Sequence, residues 1–371
     1  MSISRRHFLK KTTALGAMGS LGLSAAPTVS LLETKTISQL PNRYHGWPTV
    51  TRRANGQLLV VCSGGREQHV CPFGRVEMQR SDDDGKTWTF PRTLLDGPID
   101  DRDAGVMETA KGSLLVTTFT SLAYASHLPK DDRRGRWLAA HERIGEAERK
   151  AELGQWMIRS IDGGITWSER YSSIVNSPHG PTQLSDGRLL YAGKKLWSGG
   201  EVGVCESRDD GKTWQWLAAI PKRKGDNEKD YHELHAVEAA DGTILVQIRN
   251  HNKASHRETL QCESKDGGKT WTTPHAIGVW GLPSFLTRLR DGRLLMSYGH
   301  RRKPFGNQAR VSEDHGKTWS EPVIISGDGS SGDLGYPSTV ELADGTMLTV
   351  WYEKLAKSKF AVLRQARWNL T

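Results

Sequence analysis

Three residues that could take part in acid–base or nucleophilic chemistry recur at one spacing in the sequence. Asp103, Glu233 and Tyr336 each lie nine residues before a glycine that is followed by the same short apolar motif. A carboxylate can move a proton, and a phenol becomes a nucleophile when a neighbouring carboxylate takes its proton. If the copies of the motif superpose, these side chains meet at one site. The alternative is that they only cap strands through hydrogen bonds.

Basic residues follow the same glycines at comparable distances. Arg249 lies seven residues after its glycine, and Arg301 and Arg302 lie nine and ten residues after theirs. Arg66 and Glu353 lie ten and eight residues after two further copies. Guanidinium groups that converge on a concave surface hold carboxylates or sulfates by paired hydrogen bonds. We therefore expect an anion-binding site beside the acid–base residues.

A repeated β-hairpin must position these groups. Its six glycines are Gly56, Gly112, Gly187, Gly242, Gly292 and Gly345. Their separations of 56, 75, 55, 50 and 53 residues are somewhat above the ~40–50 residues of propeller repeats. Each copy predicts one four-stranded blade whose first strand lines a central channel. The positions nine residues before each glycine, which include Trp47, then form a ring around one mouth of that channel.

A second repeat, Ser-x-Asp-x-Gly-x-Thr-Trp, occurs five times. The copies are residues 81–88, 160–167, 207–214, 264–271 and 312–319. The motif predicts a turn in which Asp accepts backbone N–H groups, Gly takes a positive φ and Trp packs the turn against its own sheet. The sixth blade lacks this turn, and we expect residues around 30–40 to close it by pairing with a C-terminal strand over 360–368. The sequence thus predicts an all-β chain, a six-bladed β-propeller.

The longest separation between hairpins indicates an insertion at about residues 127–155. This segment is rich in helix formers and polar on most faces, which predicts a surface helix over or beside the second blade. It could act as a lid or be a solvated excursion with no role in the site. The expected domain organisation is one propeller over residues 27–371 with this single helical insertion.

The sequence resembles the bacterial sialidase (neuraminidase) superfamily, whose six-bladed propellers carry Asp-box (BNR) repeats. The most specific segments are 233–249 and 336–353. The resemblance implies that Glu233 is the general base, that Tyr336 is the nucleophile, that Arg249 belongs to a carboxylate-binding arginine triad and that Glu353 steadies a triad arginine. It also implies retaining hydrolysis through a glycosyl-tyrosine intermediate, with no metal or organic cofactor.

Three features depart from the family pattern. The family's Arg-Ile-Pro motif is Gly-Trp-Pro at residues 46–48, so the first triad arginine is absent, and Arg43 or Arg66 would have to replace it. The family's acid, an Asp in the loop after the first hairpin, is also absent. His69 is our first candidate for the acid and Asp103 the second, although His69 could equally be a loop hydrogen-bonding residue. The third triad arginine must come from 300–306, where the count past the hairpin favours Arg301.

These observations predict an exo-acting, sialidase-like glycoside hydrolase that removes a terminal acidic sugar, sialic acid or a similar residue, from a glycan. A polysaccharide lyase is a second hypothesis, because His69, His179, His232 and Tyr336 could supply an acid and a base for β-elimination from a uronate. A non-catalytic glycan-binding propeller is the third, since Asp-box turns carry no activity by themselves.

The N-terminal residues and the composition bear on location and partners. Residues 1–26 combine Arg5-Arg6, a weakly apolar run and a small-residue end, which predicts a twin-arginine signal and a periplasmic or secreted protein. The net charge of +9 falls to +5 without that segment. The sequence contains no basic stripe interleaved with aromatic residues, so we do not expect the protein to bind nucleic acid. No apolar run is long enough to span a membrane. We expect a monomer. The spacing of the four cysteines does not predict a zinc site, and it is compatible both with a Cys62–Cys71 disulfide and with free thiols.

Overall fold

A computed structural model describes residues 28–40, 42–130 and 135–370. Six antiparallel sheets of four strands each make up the chain, which confirms the six-bladed propeller. The segment interpreted as a twin-arginine signal, residues 1–26, lies outside the described residues. In the described part of the chain, no helix is long and apolar enough to cross a membrane.

The strands follow one another blade by blade. In chain order they are β1 Val29–Thr36; β2 Tyr44–Arg52, β3 Leu58–Arg66, β4 Arg75–Ser81 and β5 Arg92–Leu95 (blade one); β6 Asp100–Glu108, β7 Leu114–Ser121, β8 Gln155–Ser160 and β9 Tyr171–Ser172 (blade two); β10 Thr182–Gln183, β11 Leu189–Lys194, β12 Val202–Ser207 and β13 Gln215–Ala219 (blade three); β14 Tyr231–Glu238, β15 Ile244–Asn250, β16 Thr259–Ser264 and β17 His275–Ala276 (blade four); β18 Ser284–Arg288, β19 Leu294–His300, β20 Phe305–Ser312 and β21 Val323–Gly329 (blade five); β22 Leu334–Glu341, β23 Met347–Lys354 and β24 Ala361–Leu370 (blade six).

The chain start completes blade six, as the sequence predicts. Strand β1 pairs antiparallel with β24, from Val29 opposite Leu370 to Thr36 opposite Arg364. Blade six therefore has the order β1-β24-β23-β22, so its outer strand comes from the opposite end of the chain. This pairing closes the ring and covers the edge of β24, which would otherwise be open.

The Asp-box turns repeat one hydrogen-bond pattern. In the first copy, Asp83 accepts from the Thr87 backbone N–H at 2.9 Å and from its hydroxyl at 2.6 Å. The Trp88 indole does not pack only on its own sheet: its N–H donates to Gln365 of blade six at 2.8 Å. Trp319 likewise donates to Gln261 of the preceding blade at 3.1 Å. These two boxes therefore join neighbouring blades, a correction to the sequence-based expectation, whereas the Trp271 indole N–H donates to Gly268 of its own turn at 3.0 Å.

The insertion between β7 and β8 contains the helices α1 Gly135–Glu142 and α2 Glu146–Glu152. Trp137 of α1 is buried, and its indole N–H donates to Glu67 in the loop after β3 at 2.7 Å. Ile144, between the helices, packs in a small apolar cluster with Tyr124 and with Val70. Val70 belongs to the same first-blade loop as Glu67. The insertion thus braces this loop.

The first strands of four blades carry an irregularity at equivalent positions. In each strand the pairing register shifts beside the residue that lies nine positions before the hairpin glycine. Those residues have positive φ: Trp47 (52°), Asp103 (45°), Glu233 (21°) and Tyr336 (53°). Bulges of this kind re-aim a side chain out of the regular alternation. The other two equivalent positions hold Pro178 and Pro283. We call the end of the channel formed by these six residues the bulged mouth.

At their other end the same strands run into the hairpin turns, and we call that end the hairpin mouth. A cavity of about 490 Å³ opens there, lined by all six first strands, with Arg52, Glu108 and Arg288 among its residues. The rings of His235, which is buried, and Phe285, which is half-buried, stack at 4.5 Å and line this cavity.

Candidate functional site

The bulged mouth brings together three of the predicted site residues. The Tyr336 hydroxyl, on β22, donates to Glu233 Oε1, on β14, at 2.6 Å. Arg249 on β15 places its Nη1 2.9 Å and 2.8 Å from the two Glu233 oxygens and 3.1 Å from the Tyr336 hydroxyl. One carboxylate thus binds both a phenol and a guanidinium.

Burial and charge fix the protonation of this cluster. Burial favours the protonated Glu233 carboxyl, but the Arg249 guanidinium and the hydrogen bond from Tyr336 outweigh it and lower the pKa of Glu233 below its ordinary value. Burial and the Glu233 carboxylate raise the pKa of Tyr336 well above its ordinary value. The cluster therefore holds a neutral phenol that donates to an ionised base.

A histidine that sequence analysis did not single out orients Arg249. The Arg249 Nε donates to His251 Nε2 at 2.8 Å. Burial and the neighbouring guanidinium lower the pKa of His251 to about 4, so the imidazole is neutral and can accept. The ring of His232, a candidate group for the lyase hypothesis, packs 4.7 Å from His251. Arg249 is therefore fixed on both sides before any ligand arrives.

The two arginines after the fifth hairpin diverge. Arg301 lies with its guanidinium carbon 5.8 Å from the centre of the Tyr336 ring, and its Nε donates to the Leu334 carbonyl at 2.9 Å. Arg302 instead stacks on Trp280, 3.6 Å from the ring centre. Arg301 therefore belongs to the site, and Arg302 lies against an aromatic residue of another loop.

His69 lies at the rim of the site on the first-blade loop. Its Nδ1 is 2.9 Å from the Tyr44 hydroxyl and 3.3 Å from Asp333 Oδ1. Asp333 also accepts from the hydroxyls of Tyr44 and Tyr352, at 2.9 Å and 3.2 Å. The imidazole side chain is half exposed. A carboxylate thus holds an accessible imidazole, and Trp47 contacts both rings, with its centroid 4.9 Å from that of His69 and 6.4 Å from that of Tyr336.

Trp47 forms the support beneath His69. It is only 1% exposed, and the His69 ring meets it edge-on with centroids 4.9 Å apart. The guanidinium groups of Arg66 and Arg102 lie 5.0 Å and 4.6 Å from the Trp47 ring centre. Because so little of the indole reaches solvent, Trp47 underlies the site and does not form its open surface.

Arg66 lies in the interior and has no exposed surface. It forms a two-point ion pair with Asp100, at 2.5 Å and 3.0 Å, and donates to the His69 carbonyl at 2.9 Å. Its guanidinium N–H groups are thus committed to the protein itself. This placement makes Arg66 an anchor for the loop that carries His69 and leaves it no donor for an anion in the site.

Glu353 faces away from Tyr336. Its carboxylate accepts from the Arg364 guanidinium and the Trp351 indole, each at 3.0 Å. Arg364 also binds Asp328 of blade five, so Glu353 helps to join blades five and six. The adjacent Tyr352 points into the site, with its ring 5.9 Å from that of Tyr336.

Asp103 lies at the bottom of the bulged mouth and is 7% exposed. Burial and the nearby Glu233 charge raise the pKa of Asp103 to about 7, despite the opposing charge of Arg102. Near neutral pH this carboxyl is therefore divided between its protonated and ionised forms. Its burial beneath the cluster contrasts with the accessible rim position of His69.

Three further residues of the site were not singled out by sequence analysis: Tyr44, Asp333 and His251. Tyr44 and Asp333 each lie twelve residues before a hairpin glycine, and His251 lies nine residues after one, as Arg301 does, so the same count could have located them. Tyr44 occupies the space beside Gly46, where a side chain on residue 46 would meet the Tyr44 ring at 3.2 Å. The aromatic group therefore fills the position where the family's first arginine would begin. No group of side chains suited to a metal ion occurs among the described residues, and all four cysteines are buried free thiols.

The chain matches the BNR repeat-like domain family over residues 130–349. It is 25% identical over 319 residues to a sialidase from Clostridium perfringens, covering 84% of this chain and 71% of that protein. A sialidase from Paraclostridium sordellii is 22% identical over 299 residues, which is 78% of this chain and 61% of the relative.

Solved structures share the fold. A Dyadobacter fermentans protein of unknown function superposes with a TM-score of 0.75 at 22% identity, over 92% of this chain and 99% of that one. The intramolecular trans-sialidase of Ruminococcus gnavus superposes with a TM-score of 0.64 at 15% identity, over 90% and 95% of the two chains. The chain belongs to the BNR repeat-like family, as a divergent member of the bacterial sialidase type.

Proposed function

We propose that this protein is an exo-acting, retaining glycoside hydrolase that removes a terminal acidic sugar from a glycan. The observation that carries the proposal is the 2.6 Å hydrogen bond from the Tyr336 hydroxyl to the ionised Glu233. A sugar with a carboxylate at its reacting carbon repels a carboxylate nucleophile, whereas a neutral phenol approaches it without that repulsion. The adjacent base then takes the phenol proton as the bond to carbon forms.

The proposed first step transfers the sugar to the enzyme. The Tyr336 oxygen attacks the anomeric carbon, its proton passes to Glu233, and the bond from that carbon to the leaving-group oxygen breaks. His69 donates a proton to the departing oxygen. In the second step His69 takes a proton from water, the water oxygen attacks the same carbon, the bond from that carbon to the Tyr336 oxygen breaks, and Glu233 returns the proton to Tyr336.

Asp333 supports the choice of His69 as the acid. A carboxylate hydrogen-bonded to one ring nitrogen orients the imidazole and leaves the other nitrogen to face the substrate. His69 is also accessible at the rim, where a leaving group must depart, whereas Asp103 is almost completely buried. Asp103 is better suited to adjusting the charge around Glu233 from below.

The acidic group of the sugar is proposed to bind Arg301 and Arg249. Both guanidinium groups border Tyr336, so an anion between them is adjacent to the nucleophile. With Arg66 withdrawn into the interior, the site offers two arginines where the family's triad has three. A sialic acid or a related acidic sugar fits this description, held less tightly than by a triad.

A direct test is to incubate the protein with sialyllactose and with glycans that end in a uronate or a sulfated sugar, and to identify the products by mass spectrometry. We expect a free acidic sugar from the wild type and none from Tyr336→Phe, with the melting temperature of the variant nearly unchanged. Tyr171→Phe, far from the bulged mouth, is the matched control and should keep full activity. An unsaturated product absorbing near 230 nm would support a lyase, and no product from any glycan would support a binding protein.

Export by the twin-arginine route and a monomeric state are also proposals that rest on the sequence. Size-exclusion chromatography with light scattering tests the second, and the mass of the protein recovered from the periplasm tests the first.

A further inference from the structure

A basic groove leads away from His69 across the face of blades one and six. It is a cavity of about 630 Å³ whose walls include Tyr44, His69 and Asp333. Its cationic side chains are Arg43, Arg136, Lys354, Lys357 and Lys359. Only two carboxylates, Glu67 and Asp333, line the same cavity. We call this surface the basic groove.

The carboxylates of the basic groove do not neutralise its lysines. Glu67 is paired with Arg136 and accepts from the Trp137 indole. Asp333 is hydrogen-bonded to His69 and Tyr44.

Lys354, Lys357 and Lys359 form no ion pair within the described residues. They lie on β23 and the turn that follows it, where Lys357 has a φ of 63° and, like Lys359, is exposed. This arrangement leaves a local excess of positive charge facing solvent.

A second cavity extends the positive surface. It has a volume of about 340 Å³ and shares Arg43, Glu67 and Arg136 with the basic groove, and it adds Arg75, Arg143 of the helical insertion and one further carboxylate, Asp96. Arg143 is exposed and, like Arg43, forms no ion pair with a described carboxylate. The positive path therefore runs from His69 past the insertion.

The position of the basic groove relative to His69 identifies its occupant. In the proposed mechanism His69 protonates the oxygen of the leaving group, so the remainder of the glycan must extend from His69 and not from the Arg301 side. His69 itself lines the basic groove. A leaving group that lies there meets several cations with few competing carboxylates, and such a surface favours an anionic ligand.

We propose that the basic groove binds the leaving-group portion of the substrate and that this portion is itself anionic, carrying carboxylates or sulfates on the sugars next to the cleaved bond. This inference rests on the proposed function, because it uses His69 to orient the glycan. It extends that function by naming the substrate class: an acidic oligosaccharide or polysaccharide shortened from its end, in preference to a single acidic sugar on a neutral glycan.

The test compares two substrates that end in the same sugar, sialyllactose with a neutral leaving group and α2,8-linked oligosialic acid with an anionic one. The groove variant Lys354→Ala/Lys357→Ala/Lys359→Ala is compared with Lys212→Ala/Lys269→Ala/Lys317→Ala, which removes the same charge from exposed Asp-box turns. We expect KM for oligosialic acid to rise roughly tenfold more than KM for sialyllactose in the groove variant, and not in the control. The excess should shrink at high salt, since exposed charges are screened.

Binding measured without turnover separates this inference from the proposed function. Tyr336→Phe is titrated calorimetrically with oligosialic acid and with oligogalacturonate, with and without the three groove substitutions. Binding of either oligomer that is lost with the groove lysines supports the groove even if no glycan is cleaved. Equal KM changes for both substrates, no binding of either oligomer, or tighter binding of a single-stranded oligonucleotide than of both glycans would overturn it.

Discussion

The two ends of the central channel are built from the same six strands and differ in almost every physical respect. At the bulged mouth, four strands adopt positive φ and break their pairing register. At the hairpin mouth the same strands pair regularly, as in Val50 opposite Val60 and Val237 opposite Leu245. The positive-φ residues at the bulged mouth are conformationally unfavourable, and the unbroken pairing at the hairpin mouth stabilises the same strands.

Their charges differ in the same way. At the hairpin mouth opposite charges are paired between blades: Arg53 with Glu108 at 2.8 Å and Arg290 with Glu341 at 3.0 Å. At the bulged mouth Arg249 is paired with Glu233 at 2.8 Å, but Arg301 has no carboxylate partner among the described residues, and Asp103 is buried with a raised pKa. Strained backbone and perturbed pKa values cluster at functional sites in folded proteins, so the difference supports the proposal that the chemistry lies at the bulged mouth.

The largest expected effect is on activity, from removing the base at the bulged mouth. Glu233→Gln keeps a hydrogen-bond acceptor for Tyr336 but cannot take its proton, and it leaves Arg249 without a charge partner. We expect kcat/KM to fall by roughly 10³-fold, measured on the substrate found in the product screen. A loss of less than tenfold in a folded variant would remove Glu233 from the mechanism.

A smaller and more selective loss is expected from His69→Ala. If His69 protonates the leaving oxygen, kcat should fall by roughly 10²-fold for a natural glycan and far less for a substrate whose leaving group needs no proton. Initial rates with sialyllactose and with a 4-methylumbelliferyl sialoside give the comparison. Asp333→Asn, a positioning change, should show the same selectivity in weaker form. Equal losses on the two substrates would mean that His69 acts in binding and not as the acid.

These predictions depend on residues that differ in how far the sequence alone could identify them. Glu233 and Tyr336 could be located because the hairpin glycine gives every blade a common origin for counting. The turn chemistry of the Asp boxes is also local, and the number of blades followed from the six hairpin glycines. Closure of the propeller ring by β1 could be predicted because one blade lacked a strand.

Contacts between blades could not be read in this way. Arg66 and Glu353 occupy the expected strands, but in both cases a charged partner from elsewhere, Asp100 or Arg364, turns the side chain away from the site. Successive residues of a strand point to opposite faces of the sheet. Tyr352 therefore faces the site, whereas Glu353, one residue later, faces the interface between blades. Tyr44 and Asp333 both lie twelve residues before a hairpin glycine, but their hydrogen bond joins the first and sixth blades, and only the folded ring brings them together.

The next prediction concerns stability at the bulged mouth. Burial raises the pKa of Asp103 to about 7, above the ~3.9 of an exposed aspartate. The folded state therefore holds the proton more tightly, and the associated stability is present below about pH 4 and lost as the pH rises through 7. We expect Asp103→Asn to raise the free energy of unfolding by roughly 1–3 kcal/mol at pH 8 and by less at pH 5.

Urea unfolding at the two pH values measures this difference. If Asp103→Asn raises the free energy of unfolding by the same amount at both pH values, the effect comes from the shape of the side chain and not from its charge. A decrease in the free energy of unfolding at pH 8 would show that ionised Asp103 is well satisfied in the folded protein.

The smallest effect is expected at the hairpin mouth. Glu108→Gln weakens the pair with Arg53, whose side chain is 14% exposed, while the Glu108 side chain is 9% exposed. We expect the free energy of unfolding to fall by about 1–2 kcal/mol while kcat/KM stays within about twofold of the wild type. Thermal unfolding and initial rates measure the two quantities, and a marked loss of activity with unchanged stability would erase the distinction between the two mouths.

The central claim, that Tyr336 is the nucleophile, is tested most directly by trapping the covalent intermediate. The protein is incubated with a 2,3-difluorinated sialic acid, or with the fluorinated form of whichever acidic sugar it releases, and is then digested and analysed by mass spectrometry. We predict one added sugar on the peptide that contains Tyr336 and none on the Tyr336→Phe protein. A sugar attached to another residue, or release of the natural product with inverted configuration and no adduct, would contradict the account.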